Sequence, residues 1–296
     1  MKEGEPMEQT YTILTEAGCD LAWERFERAG VKVAPMPVTL GGRHYHHHPD
    51  ERDLKYADFY QQLRGKAQAT TSAPSPGDYV QLAQEALEEG RDVLYLGFTS
   101  ALSASFQAAT VALNGLAQKF PKRKILKVDT LSGAMGQGLL VEMAARARAA
   151  GARIEEAALM IERTKLKVVH YFTVADLQHL RRGGRLGTLS AALGTVLKLK
   201  PVLSLNDKGI LYVVEKARGY HRALSRLVDL VKEKAQDIKN QIVYISHADV
   251  PDTANSLAES IRALGPKEVV VHLLGPVIAS HVGPGAIGIS FLADKR

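Results

Sequence analysis

Hydroxyl, glycine and histidine side chains cluster at four places where a predicted strand gives way to a loop or a helix. The four segments are TTSAPSPGD (70–78), TSALSASF (99–106), DTLSGAMGQG (129–138) and SHVGPGAIG (280–288). In an open α/β sheet, such positions line the crevice at the strand ends where ligands bind. Hydroxyls and an imidazole can supply hydrogen bonds to the oxygens of a carboxylate. Taken singly, each segment is more typical of a helix start or a turn.

The last segment contains the spacing G-x-G-x-x-G at Gly283, Gly285 and Gly288, which binds dinucleotide phosphates in other proteins. That use requires a following helix and an acidic residue about 20 residues further on. Only eight residues follow Gly288, so neither fits. The spacing therefore argues against a nucleotide site, and we expect Gly283 and Gly285 to permit a tight backbone turn instead.

Ester hydrolysis is a second chemistry that these residue types allow. Ser103 could act as the nucleophile, His281 as the base and Asp249 as the residue that orients the base, since triads occur in several chain orders. The sequence lacks G-x-S-x-G and S-x-x-K, the motifs that usually carry such a serine. A small-molecule hydrolase is therefore the less favoured interpretation.

Composition limits the remaining function classes. The chain has 296 residues, of which 46% are hydrophobic and 24% charged, as is typical of a soluble chain that forms two domains. The single cysteine, Cys19, excludes an internal disulfide, and we expect it to be a packing residue. The first ten residues carry no apolar signal segment, which predicts a cytoplasmic protein. The net charge of +6 suits an anionic ligand or partner, but scattered basic residues and 6% aromatics argue against nucleic-acid binding.

Strand-like and helix-like segments alternate in the first part of the chain. Strands are predicted at YTILT, DVLYLGF and RKILKVD, and helices at LAWERFERAG, 54–65, PGDYVQLAQEALEEG, SASFQAATVALNGLAQKF and AMGQGLLVEMAARARAAG. This alternation predicts a parallel, doubly wound sheet that is covered on both faces.

After Lys165 the pattern changes, because KPVLSL-NDKG-ILYVVEKA predicts a β-hairpin and hence a mixed sheet. Residues 269–293 contain no Asp, Glu, Lys or Arg, but prolines and glycines interrupt them. We predict buried strands and a pocket-lining loop there, not a membrane span. The overall prediction is an α/β fold with two domains, 1–165 with a parallel sheet and 166–296 with a mixed sheet.

Seven ordered motifs together resemble the DegV family of bacterial cytoplasmic fatty-acid-binding proteins. They are T-S-x-P-S, S-x-L-S-x-S-F-Q, D-T-x-S-x-x-M-G-Q-G, D-L-x-x-L-x-x-G-G-R, L-G-x-x-L-x-x-K-P, K-x-R-G and H-x-G-P-G. The resemblance implies a tunnel at the domain junction that holds one long-chain fatty acid. It also implies a separate fatty acid kinase that phosphorylates the bound carboxylate for phospholipid synthesis. The carrier itself would do no chemistry and need no cofactor or metal.

The resemblance assigns contact with the fatty acid to Thr71, Ser72, Ser103, Arg185, His281 and Gly283. It assigns Arg218, in KARG, to contact with the kinase. The sequence departs from the family at Ala101 and Ala104, which replace glycines, and at Glu16 and Ala17, which replace Asp-Ser. These departures affect which fatty acid we expect the protein to prefer, and they do not change the expected class of ligand. A regulatory binding module without lipid is a third possible function.

Two basic or histidine-rich segments have alternative interpretations. The segment with His44, His46, His47 and His48 could bind a metal, but consecutive histidines do not converge on one ion, so we expect a solvated loop. The segment LRRGGRLG could clamp a phosphate, or it could be a helix end capped by Gly183.

Residues 188–200 place Leu189, Leu193, Val196 and Leu197 at helical spacing, next to Lys198 and Lys200. An apolar stripe beside lysines suits transient contact with an anionic membrane surface, at the inner face of the membrane. We expect a short helix that acts as a lid over the tunnel, and the alternative is a helix packed in the core.

Overall fold

The computed structural model describes residues 10–185 and 199–296. The first part of the chain forms a four-stranded parallel sheet with strands β1 Tyr11–Glu16, β2 Val31–Ala34, β6 Asp92–Gly97 and β7 Ile125–Asp129. Their order is β2-β1-β6-β7. The accompanying helices are α1 Trp23–Ala29, α3 Pro76–Glu88, α4 Ser105–Lys119, α5 Ala134–Ala149 and α6 Ile154–Thr164. The predicted parallel sheet is confirmed, whereas the sequence analysis did not identify α6.

The second part forms a six-stranded mixed sheet. Its strands are β8 Val168–Thr173, β9 Leu199–Leu205, β10 Leu211–Arg218, β11 Ile242–His247, β12 Glu268–Leu273 and β13 Ile287–Leu292, in the order β10-β9-β8-β13-β11-β12. Its helices are α7 Gln178–Arg182, α8 Tyr220–Lys234, α9 Pro251–Arg262 and α10 Pro276–Val282. Only β11 and β12 pair in parallel among the described strands of this sheet. The predicted mixed sheet and the predicted hairpin at NDKG are therefore confirmed.

A third, antiparallel sheet was not predicted. It consists of β3 Met36–Leu40, β4 Arg43–His47 and β5 Ala69–Thr71, with helix α2 Tyr56–Arg64 between β4 and β5. Gly41 and Gly42 connect β3 to β4 with φ of 56° and 82°, which is the two-residue hairpin turn that favours glycine.

The expected solvated loop at the histidines is wrong. Arg43–His47 forms β4, and His47 is only 1% exposed. Its Nε2 lies 2.7 Å from the hydroxyl of Tyr56 on α2. Burial lowers the pKa of His47 to about 3, so this histidine is a neutral core residue. The described residues contain no group of side chains arranged to hold a metal ion.

One further expectation changed, and another falls mostly outside the described residues. Residues 276–282 form α10 where a loop was expected, so His281 lies on a helix. Leu199 and Lys200 begin β9, and the rest of the predicted lid helix, 188–198, lies outside the described residues. Within 10–185 and 199–296, no helix combines the length and the apolar character needed to cross a bilayer.

Helix α5 lies between the parallel and the mixed sheet and contacts both. It is buried on nearly all sides. Its core includes Leu140 and Val141, together with Cys19 from the turn after β1 and Tyr244 from the mixed sheet. A helix that is apolar all round requires cover on every face. The burial of Cys19 agrees with its predicted packing role, and burial also raises the pKa of the thiol.

Close packing of α5 depends on glycine. A Cβ added at Gly138 would lie 2.6 Å from two side-chain atoms of buried Leu21. We expect Gly138→Ala to lower the free energy of unfolding by about 1 to 3 kcal/mol, because overpacking a filled core forces neighbours to move. Urea denaturation measures the change.

Gly115 in α4 is the matched control, because a Cβ there would meet no atom within 4 Å. Gly115→Ala should leave the stability unchanged or raise it by up to about 1 kcal/mol through helix propensity. Equal effects of the two substitutions would contradict the packing role of Gly138.

Candidate ligand-binding cavity

A cavity of about 220 Å³ lies where the mixed sheet, the small antiparallel sheet and the end of the parallel sheet meet. Most of its lining is apolar and includes Met36, Phe98, Leu102, Phe172, Leu205, Val277 and Val282. The polar residues Thr71, Ser72, Ser103, Arg185 and His281 also line it. Five of the six predicted fatty-acid contacts thus line one cavity, and Gly283 does not.

Thr71 and His281 form a polar contact between two lining residues of this cavity. Thr71 is the last residue of β5, and its Oγ1 lies 2.8 Å from Nε2 of His281 on α10. Nδ1 of His281 is buried and has no hydrogen-bond partner among the described residues. It faces Gly183, where an added Cβ would lie 2.3 Å away. Burial, together with the nearby charge of Arg185, lowers the pKa of His281 to about 4, so the imidazole is neutral at neutral pH.

Arg185 supplies positive charge to the same end of the cavity. Its Nε donates to the carbonyl of Leu102 at 3.1 Å, and its Nη1 donates to the carbonyl of Gly183 at 2.6 Å. These two carbonyls come from the loop after β6 and from the end of α7. Gly183 follows the last residue of α7, as the predicted helix end requires. The two carbonyls hold the guanidinium beside His281.

Ser103 precedes helix α4 and takes part in the start of that helix. Its Oγ accepts a hydrogen bond from the backbone N–H of Ser105 at 3.2 Å and lies 3.1 Å from the hydroxyl of Ser105. Ser72 follows β5, and its backbone N–H donates to the carbonyl of Pro37 at 3.2 Å. Both serines therefore have a structural role as well as a place in the cavity wall.

Gly283 and Gly285 give the chain a sharp turn between α10 and β13. Their φ angles are 74° and 84°, in the region that favours glycine. A Cβ at Gly283 would lie 2.3 Å from the ring of His179, so this glycine also permits close packing on α7. The expected tight turn is confirmed, and Gly288 lies inside β13 with no helix after it.

The residues of the alternative triad do not come together. Nε2 of His281 contacts Thr71, and Asp249 forms an ion pair with Arg64. The carbonyl of Asp249 also accepts a hydrogen bond from Nη2 of Arg64 at 2.6 Å. Because no acidic side chain orients His281 within the described residues, the geometry does not support a Ser103–His281–Asp249 triad.

The remaining predicted site residue, Arg218, is not among the residues that line the cavity. It is exposed and ends β10, which is an edge strand of the mixed sheet. The assignment of Arg218 to contact with a partner stays a prediction.

Sequence reasoning missed three polar residues of the cavity wall and one buried acid beneath it. His170, Ser246 and Ser290 line the cavity from the mixed sheet. Glu16 is fully buried and accepts hydrogen bonds from the Tyr95 hydroxyl at 2.7 Å and from the backbone N–H of Phe98. Burial raises the pKa of Glu16 to about 7. Only Ser290 had a clear signal in the sequence, as the single polar residue of the strand IGISFL.

Comparisons with known proteins agree on one family. A family model described as DegV, uncharacterised protein, matches residues 10–294. A DegV domain-containing protein of Clostridium perfringens is 33% identical over 287 residues, which cover 97% of this chain and 98% of that protein. Among solved structures, a DegV family protein from Thermus thermophilus, described as fatty acid binding, has a TM-score of 0.87 and 34% identity. The match covers 96% of this chain and 99% of the Thermus thermophilus chain. DegV of Bacillus subtilis, described as a fatty acid binding protein, has a TM-score of 0.85 and 27% identity and covers 97% and 100% of the two chains.

The charge of Arg185 should affect the pKa of His281. Because the guanidinium lowers the pKa of the neighbouring imidazole, we expect Arg185→Gln to raise the pKa of His281 in the ligand-free protein. NMR titration of the histidine ring signals measures this pKa. Arg64→Gln, which removes an exposed arginine paired with Asp249, is the control and should leave this pKa in place. A pKa of His281 that is unchanged by Arg185→Gln would contradict the proximity of the two groups.

Proposed function

The chain belongs to the DegV family, and on that basis we propose that it binds a long-chain fatty acid in the cavity between its sheets. The observation that carries the proposal is an apolar cavity with a polar cluster at one end, formed by Thr71, Ser103, Arg185 and His281. A fatty acid has the same division into an apolar chain and a polar head. The resemblance to solved fatty-acid-binding relatives supports the same class of ligand.

The hydrocarbon chain supplies most of the binding free energy in this proposal. Burying one methylene contributes about 0.8 kcal/mol, so a chain of about 16 carbons contributes on the order of 12 kcal/mol before the costs of association. The head group then needs hydrogen-bond donors more than additional affinity, because a buried carboxylate without donors is costly.

The carboxylate lies at the Thr71–His281 pair in this proposal. Neutral His281 with its proton on Nε2 donates to Oγ1 of Thr71 across the observed 2.8 Å, which leaves the Thr71 hydroxyl free to donate to the carboxylate. The hydroxyl of Ser103 provides a second donor from the opposite loop. Arg185 supports the negative charge from the end of α7.

The carrier would present this carboxylate to a fatty acid kinase, which forms an acyl phosphate for phospholipid synthesis. We assign the contact with that partner to Arg218, whose exposure on an edge strand suits a surface role. No residue of this chain is given a catalytic role. Contact with an anionic membrane surface depends on the sequence of residues 188–200 alone and stays a prediction.

Removal of the head-group donors should weaken binding without unfolding the protein. We expect Thr71→Val and Ser103→Ala each to cost about 1 to 3 kcal/mol of binding free energy, because a charged acceptor loses a donor. Displacement of a fluorescent fatty acid by palmitate measures the change. Ser260→Ala, on the exposed surface of α9, is the control and should bind palmitate like the original protein. If native mass spectrometry finds no bound lipid and added palmitate does not bind, the proposed function is wrong.

A kinase assay should distinguish the residue that contacts the kinase from the residues that bind the fatty acid. Arg218→Ala should keep the bound fatty acid but lose acyl-phosphate formation in a reconstituted reaction with a fatty acid kinase and ATP. Arg262→Ala, an exposed arginine on α9, is the control and should support the reaction. Loss of lipid in a folded Arg218→Ala protein would assign this arginine to the ligand instead.

A further inference from the structure

The wall of the cavity formed by the mixed sheet carries three polar side chains. His170 on β8 and Ser290 on β13 are direct cross-strand partners. Ser246 on β11 pairs with Gly288, two residues before Ser290 on the same strand. Because alternate residues of a strand share a face, these three side chains lie on the face that lines the cavity. We call this set the polar floor.

The polar floor is separate from the Thr71–His281 end of the cavity. Arg185 lies in the segment after α7, beyond the end of β8, and His281 lies on α10, before the start of β13. His170 lies three residues before the end of β8 at Thr173, which corresponds to about 10 Å of strand. A ligand whose carboxylate lies at Thr71 would therefore reach the polar floor with its hydrocarbon chain.

His170 has no partner for either ring nitrogen. It is 7% exposed, and neither Nδ1 nor Nε2 has a hydrogen-bond partner among the described residues. Its ring packs tightly against α5, where a Cβ added at Gly136 would lie 1.9 Å from Nε2. Ser246 and Ser290 are also more than nine-tenths buried. Buried polar groups are normally hydrogen-bonded, so these side chains have capacity for a partner inside the cavity.

The chemistry of that partner follows from the groups present. Burial lowers the pKa of His170 well below its usual range, so the imidazole is neutral and offers one donor and one acceptor. The two serine hydroxyls can each donate and accept. A hydroxyl group on the ligand can likewise donate and accept, whereas an unsubstituted methylene can do neither.

We propose that the polar floor binds a hydroxyl group carried by the hydrocarbon chain, so that the preferred ligand is a hydroxylated long-chain fatty acid. This inference rests on the proposed function, because it places the carboxylate of that fatty acid at Thr71. The hydroxyl lies at mid-chain or beyond, as the separation along β8 requires. Hydrogen bonds to His170, Ser246 or Ser290 replace those that the hydroxyl loses on leaving water.

The experiment compares stearate with a mid-chain hydroxystearate on the ligand-free protein, by competition with a fluorescent fatty acid. We expect the hydroxystearate to bind roughly 3- to 10-fold more tightly, the worth of one net hydrogen bond. His170→Leu combined with Ser290→Ala should abolish this preference while stearate binds at least as tightly as before. Thr71→Val is the control and should weaken both ligands by the same factor.

The outcomes distinguish the two proposals. Stearate that binds as tightly as or more tightly than the hydroxystearate to the original protein would overturn the polar floor and leave fatty-acid binding intact. Failure of both acids to bind would overturn the proposed function itself. If the double variant does not fold, Ser290→Ala and Ser246→Ala are tested singly, and at least one must reduce the preference. A structure of the complex with the hydroxyl away from all three of His170, Ser246 and Ser290 would also overturn the inference.

Discussion

The burial of α5 between the parallel and the mixed sheet is the constraint on which the rest of the structure depends. Its first residue, Ala134, and the preceding Gly133 line the cavity. A Cβ at Gly133 would lie 2.3 Å from the ring of Phe98, which forms part of the cavity wall. The same helix lies against His170 at Gly136. The position of α5 therefore sets the distance between the sheets and the shape of the cavity that opens at the end of the helix.

A network of hydrogen bonds connects α5 and β1 to the wall of the cavity. Gln137 of α5 donates to the carboxylate of Glu16 at 3.1 Å and to Oγ1 of Thr15 at 3.0 Å. Glu16 in turn holds the backbone N–H of Phe98. These hydrogen bonds connect α5 to the end of β1 and to the cavity wall, although Oε1 of Gln137 has no partner among the described residues. Nδ1 of His281 and both ring nitrogens of His170 belong to cavity-lining residues and have no partner in the part of the chain that the structure describes. This contrast separates polar groups that hold the fold from those that can serve a ligand.

Burial also decides which groups carry charge around the cavity. His170 and His281 are neutral because desolvation lowers the pKa of each imidazole, and the guanidinium of Arg185 donates to two carbonyls. An anion entering this end of the cavity meets one positive group and several neutral donors. The arrangement therefore suits an anionic head on an apolar chain. Within residues 10–185 and 199–296, no acidic side chain contacts His281 as an active-site triad would require.

The sequence alone determined the features that depend on neighbouring residues. Alternating segments predicted the α/β class and both large sheets, NDKG predicted its hairpin, and Gly283 and Gly285 predicted the tight turn. In each case local chemistry decides the outcome: hydrophobic periodicity selects strand or helix, and glycine permits positive φ. The ordered motifs also grouped Thr71, Ser103, Arg185 and His281, although only resemblance, and no local physical rule, connected them.

Only the tertiary structure decided which distant side chains meet. Thr71 and His281 are 210 residues apart in the chain, and their contact exists because β5 and α10 pack together. The histidine segment forms β4, in which His47 is buried beside Tyr56. Asp249 pairs with Arg64 and does not contact His281. His170, Ser246 and Ser290 became one surface through strand register, since a shift of one residue would turn each side chain to the other face. Such contacts depend on long-range packing, and no local pattern in the sequence encodes which segments pack together.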